Sequence, residues 1–115
     1  MDHKNLDAWN VSVELSVDIY SLTDKFPKDE HFGLVQQIRR SAISIPSNIA
    51  EGCARSSAKE TLRFLYIALG SLAELETQII IASKLGYIKD EFIVDEKITK
   101  VKQLILGLIR YLKSV

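Results

Sequence analysis

The chain has 115 residues, a length that fits one domain with one shared core. Its 47% hydrophobic and 26% charged residues, with only two prolines and five glycines, exclude low-complexity and collagen-like classes. A formal net charge of zero argues against a chain that holds nucleic acid by overall charge alone.

No uninterrupted apolar run approaches the roughly 18 residues of a membrane span. The start, MDHKNLDAW, lacks the basic-then-apolar layout of a signal peptide, so a cytoplasmic protein without a membrane partner is expected. Cys53 is alone, which rules out an internal disulfide and suggests a small buried hydrophobe rather than a reactive thiol.

In VSVELSVDI (11–19) apolar and polar residues alternate with period two, the pattern of a strand. The pattern runs from Leu6 to Leu22 without a turn signal, and that length favours a helix. On a helix the residues form two stripes. One contains Val11, Leu15, Ile19, Leu22 and Phe26; the other contains Leu6, Trp9, Val13, Val17 and Tyr20. A helix apolar on two faces needs burial on both, which points to an oligomer.

KFPKDEHFG (25–33) is a connection, with Pro27 stopping one helix and Asp29 placed to cap the next. From about His31 to Ala54, Leu34, Val35, Ile38, Ala42, Ile45, Ile49 and Cys53 follow helical spacing. Pro46 falls inside this helix, where it removes one backbone hydrogen bond and predicts a kink near Ala42–Pro46. Serine hydroxyls are expected to satisfy the freed carbonyl; the alternative is two short helices broken at Ile45.

SSAKE (56–60) opens a third helix, Ser57 and Glu60 having the capping-box spacing. Phe64, Leu65, Ala68, Leu72, Leu75, Ile79 and Ala82 line one face, and Gly86 in KLGYI (84–88) suits a left-handed C-terminal cap. At roughly 28 residues this helix would run about 42 Å. In a fourth helix Ile98, Val101, Ile105, Leu108 and Leu112 step by three and four. The prediction is an all-α, antiparallel, up-down-up-down four-helix bundle with a proline-kinked second helix, one domain over residues 1–115.

FPKDEHFGLVQQIRRSAISIPSNIAEG, followed by FLYIALGSLAELETQIIIASKLGYI, resembles the 23S rRNA intervening-sequence protein family of bacteria. The matching strings span residues 26–88 in fixed register. One departure is visible: the family often has a second glycine before the arginine, where this chain reads GCAR with Ala54. The resemblance implies a small four-helix bundle that assembles as a homopentamer and has no established enzymatic activity. It also implies encoding within insertions of large-subunit ribosomal RNA genes or elsewhere in bacterial genomes. A related branch supplies accessory subunits of diversity-generating retroelements, which bind a reverse transcriptase and nucleic acid; the strongly basic character suited to that role is missing here.

Little in the sequence supports catalysis. His3 and His31 begin no metal-ligand spacing, and one cysteine makes no zinc site, so neither metal nor cofactor is expected. Ser56-x-x-Lys59 lacks the companion motifs of penicillin-binding enzymes. An enzyme with a site between subunits, built from Arg39, Arg40, Asn48 and Glu51, is the rival reading, and no small-molecule substrate is identified. Near the core, Arg39 and Glu76 are each expected about 12–14 Å from the same end of the bundle. They should form an ion pair with Ser41 and Asn48 as neighbours, a structural polar network. Glu51 and Arg55, four apart, read as a solvated helix pair.

The charge is unevenly spread. Residues 1–30 hold three Lys/Arg against seven Asp/Glu, and residues 97–115 hold five Lys/Arg and no acid. Bundle topology then collects Arg55, Lys59, Arg63, Arg110 and Lys113 at one end, a candidate contact for RNA phosphates. Asp24, Asp29, Glu30, Asp90, Glu91, Asp95 and Glu96 gather at the other, partly offset by Lys25, Lys28 and Lys89. Trp9, Val13, Val17 and Tyr20, with Ile67 and Ile81 as complements, are the candidate surface joining copies into a ring. The expected partners are therefore further copies of the chain and RNA or another nucleic acid.

Overall fold

The computed structural model describes residues 1–90 and 92–115, apart from the side chain of Phe92. Four helices carry the structure: α1 (Asp7–Thr23), α2 (Leu34–Cys53), α3 (Ala58–Lys84) and α4 (Phe92–Ser114). Short 3-10 turns at His3–Asn5 and Lys28–Glu30 precede α1 and α2, and no strand occurs among the described residues. The period-two run of α1 is therefore helical, as its length requires. The bundle's longest dimension is 46 Å, set by the 27 residues of α3.

All four helices contribute to one core. Leu15 and Ile19 of α1, Ile38, Ile45 and Ile49 of α2, Leu65, Leu75 and Ile79 of α3, and Ile98, Val101 and Ile105 of α4 are buried within it. Phe26, from the α1–α2 connection, is also buried and packs on Tyr87 with ring centroids 5.5 Å apart. The Tyr87 hydroxyl donates to Glu30 at 2.9 Å, and that carboxylate raises the phenol's pKa, keeping it a donor. On the far side of the bundle, Lys97 of α4 binds Asp18 of α1 at 2.5 Å and approaches Glu14 at 3.9 Å.

α2 runs unbroken through Pro46, so the two-helix alternative does not hold. Pro46 has no N–H for the Ala42 carbonyl, and Ala42 is fully buried. The missing donor comes from another helix: Ser16 Oγ of α1 lies 3.1 Å from the Ala42 oxygen, sharing its proton with the Ser12 carbonyl at 3.0 Å. A serine does replace the lost bond, but from across the interface.

The remaining helix ends follow local chemistry with one exception. Ser57 caps α3, accepting from the Glu60 N–H at 3.2 Å, while the Glu60 carboxylate pairs with Arg63. At the C-terminus of α3, Gly86 takes φ +83°, and Tyr87 N–H reaches back to the Ala82 carbonyl at 3.0 Å. Asp29 does not cap α2; it lies in the preceding 3-10 turn, and Gly33 holds the cap position. By length and composition α3 is apolar enough to cross a membrane, with mean hydropathy 1.4 over its best window. Helical folding gathers that apolarity although no single apolar run shows it.

The Ser16–Ala42 bond gives a direct test. Ser16→Ala should destabilise the fold by about 1–2 kcal/mol by leaving a buried carbonyl unpaired. In a Pro46→Ala background, where residue 46 regains its N–H, the same change should cost less than about half that, read from urea unfolding in a double-mutant cycle.

Candidate functional site

Close approach of α2 and α3 builds one end of the molecule. A Cβ on Gly52 would stand 3.0 Å from Phe64 Cβ and 3.1 Å from the Thr61 carbonyl. Thr61 Oγ1 meanwhile donates to the Gly52 carbonyl at 2.8 Å. That turn brings Arg55 and Arg63 onto a single ring, their guanidinium carbons 4.8 Å and 5.1 Å from the Phe64 centroid. Across the α3–α4 groove, Lys113 Nζ stands 5.4 Å from the Tyr66 centroid.

Lys59, Arg63 and Tyr66 follow one another at helical spacing on α3, and Arg110 precedes Lys113 by one turn on α4. Arg55 and Arg63 therefore share one ring and Lys113 stands by a second, with Lys59 one helical turn from Arg63 and Arg110 one turn from Lys113. Two already have carboxylate partners: Arg55 with Glu51 at 2.6 Å and Arg63 with Glu60 at 3.7 Å. By sequence Phe64 was a core residue only. The adjacency of Phe64 to Arg63 was a signal, but Arg55 reaches that ring only through the turn. Glu91, assigned to the acidic end, lies outside the described residues.

Cys53 lies at the same end, its Sγ 3.9 Å from Met1 Sδ. Burial pushes the thiol's pKa up, more than the nearby amino terminus lowers it, so the protonated form prevails at neutral pH. The expectation of an unreactive, hydrophobe-like cysteine agrees with this environment.

The polar network differs from the predicted one. Arg39 does not meet Glu76: its Nε donates to Thr23 Oγ1 at 2.9 Å, its Nη2 to the Tyr20 carbonyl at 3.3 Å, and its guanidinium lies 4.3 Å over the Tyr20 ring. Glu76 is exposed on α3. The axial estimate placed both residues at similar depth, but rotation about α2 turns Arg39 toward α1. The polar contact between α2 and α3 is instead Ser44 with Ser71 at 2.7 Å. Asn48 Nδ2 donates to the Ser44 carbonyl at 2.8 Å and hydroxyl at 2.9 Å. Ser41 is buried beside a shallow groove of about 360 Å³ that Arg40, Glu74 and Gln78 also line.

The four residues of the rival enzymatic site do not converge within the chain. Arg39 faces α1, Arg40 the α2–α3 groove, Glu51 holds Arg55, and Asn48 holds Ser44. Among the described residues, no cluster of three or more His, Cys, Asp or Glu could hold a metal ion.

The candidate assembly surface is mixed. Val17 is 62% exposed, and Tyr20, Ile67 and Ile81 are also exposed. Trp9 and Val13 are half-buried; Trp9 packs on the chain's own core and edge-on to His3 at 5.0 Å. Trp9 is thus largely an internal residue, because the 3-10 turn folds His3 back against it. Further exposed apolar side chains, Ile43, Ile80 and Leu85, were not singled out by sequence.

Four amphipathic helices around a single apolar core, with cations and rings at one end, define a small helical-bundle protein. The profile of the 23S rRNA-intervening sequence protein family matches residues 4–109, and the chain belongs to that family. The crystal structure of a protein of unknown function from the S23 ribosomal protein family of Bacteroides thetaiotaomicron is similar, with TM-score 0.84 and 26% identity. The match covers 96% of this chain and 99% of that one. No protein of curated function matches significantly.

Replacing Arg39 by Ala should cost about 1–2 kcal/mol, from lost charged hydrogen bonds and ring stacking. Glu76→Ala should stay within about 0.5 kcal/mol of the parent, as for an exposed residue, in the same thermal or urea unfolding series.

Proposed function

We propose that the chain is a non-enzymatic, cytoplasmic subunit of a homo-oligomer, five copies being the family-informed number, that contacts RNA through its basic end. The observation that carries the RNA contact is the placing of Arg55 and Arg63 on Phe64 and of Lys113 by Tyr66, with Lys59 and Arg110 one helical turn from Arg63 and Lys113, in a chain of zero net charge. A local excess of cations at one end attracts a polyanion even when the whole molecule is neutral. In a ring of parallel subunits these ends add into one positive face.

The fold underlying this proposal is a single antiparallel, up-down-up-down domain over residues 1–115. Supporting that direction, Ser44 meets Ser71 while Gly52 meets Thr61, and Ser16 meets Ala42 while Tyr20 and Thr23 meet Arg39. A bend of α2 at Pro46 is part of the proposal, supported by the recruitment of Ser16 to the Ala42 carbonyl.

Self-assembly is supported by apolar surface in excess of what one bundle buries. Val17, Tyr20 and Ile43 on α1 and α2, with Ile67, Ile80 and Ile81 on α3, remain exposed. On α3 the stripe from Ile67 to Ile81 passes Gly70, whose missing side chain leaves open space within 4 Å. A helix from a second copy can approach closely there.

Sedimentation at micromolar concentration should show an oligomer. Ile67→Asp combined with Ile81→Asp should give a folded single chain, since both sites are on the monomer surface; a parent chain that is monomeric would overturn the assembly reading. Binding to structured RNA, measured by anisotropy, should weaken with a log–log salt slope of roughly −2 to −4 for a few phosphate contacts. Absence of binding at low salt would remove the RNA reading.

A further inference from the structure

We infer that the basic end selects unpaired RNA over duplex, with Tyr66 as a stacking platform for an exposed base and the surrounding cations on the flanking phosphates. The inference rests on the RNA reading above and narrows it to a class of strand.

Three observations at the α3–α4 groove support the inference. Tyr66 is 47% exposed, so part of its side chain is open to solvent. Lys113 Nζ lies 5.4 Å from the ring centroid, where it can meet a phosphate while the ring meets the attached base. Tyr111, 59% exposed and next to Arg110, is a second ring on the flank of the same helix end.

Charge bookkeeping favours the same conclusion. Of the five cations, Arg55 and Arg63 are engaged with Glu51 and Glu60. Lys59, Arg110 and Lys113 have no carboxylate partner among the described residues. Three unpaired cations per chain give only weak binding if phosphates are the sole target. A duplex presents phosphates and keeps its bases stacked inside, so it offers nothing to Tyr66. An unpaired strand offers both, and base–aromatic stacking is tolerant of sequence.

The test uses the full chain with a fluorescein-labelled 12-nucleotide single-stranded RNA, and the same strand annealed to its complement, in anisotropy titrations at low salt. The single strand should bind about tenfold more tightly than the duplex. Tyr66→Leu keeps the bulk without the π face and should lose about tenfold on the single strand and less than twofold on the duplex, whereas Tyr66→Phe should bind as the parent. Lys113→Ala should weaken both probes.

Thermal unfolding and sedimentation of each variant accompany the titrations. Equal binding of the two probes, or Tyr66→Leu binding like the parent, overturns the stacking inference while leaving the polyanion reading intact. Dissociation of the oligomer by Tyr66→Leu also overturns it, by assigning the ring to a subunit interface. No binding of either probe overturns both readings.

Discussion

A proline in the middle of a buried helix leaves a carbonyl that only a neighbour can satisfy, and this constraint explains much of how the bundle is put together. α2 carries Pro46 at its centre with Ala42 fully buried, so α1 must place a hydroxyl at that point. Ser16 does so. Other polar contacts reinforce the same helix: Arg39 reaches the last turn of α1, Ser44 meets Ser71 of α3, and Thr61 holds the Gly52 carbonyl. The polar run IRRSAISIPSNIAEG, residues 38–52, lies wholly within α2. Its side chains fix the rotation of α2 against two neighbours, whose packed apolar faces alone would tolerate small slips in register.

The geometry of the basic end follows from that fixation. Gly52 allows the start of α3 to come within van der Waals reach of α2, which places Phe64 between Arg55 and Arg63. Phe64 lies under both guanidinium groups, which Glu51 and Glu60 also pair, so the uncompensated positive charge comes from Lys59, Arg110 and Lys113. A neutral chain thus carries a localised positive end. Net charge alone would miss it, because compensating acids sit elsewhere in the bundle.

Apolar surface tells a parallel story. α3 is long and apolar enough by composition to cross a membrane, yet its outer face keeps Ile67, Ile80 and Ile81 exposed. A glycine in mid-helix costs about 1 kcal/mol relative to alanine. At Gly70 the missing side chain leaves open space on that outer face.

The sequence by itself determined the four helices, the core faces of α2 and α3, the cap at Ser57, the left-handed Gly86 and the buried Cys53. Each depends on neighbours within a turn or two, so periodicity and capping chemistry suffice. The partners of Arg39, the donor to Ala42, the Phe64 ring shared by two arginines and the inward packing of Trp9 were decided only by tertiary structure. These depend on how far each helix is rotated about its axis, which is set by the summed packing of all four. A rotation of one residue position, about 100°, turns a side chain from one neighbour toward another. Arg39 and Glu76 lie at comparable depth by residue count, and rotation alone kept them apart.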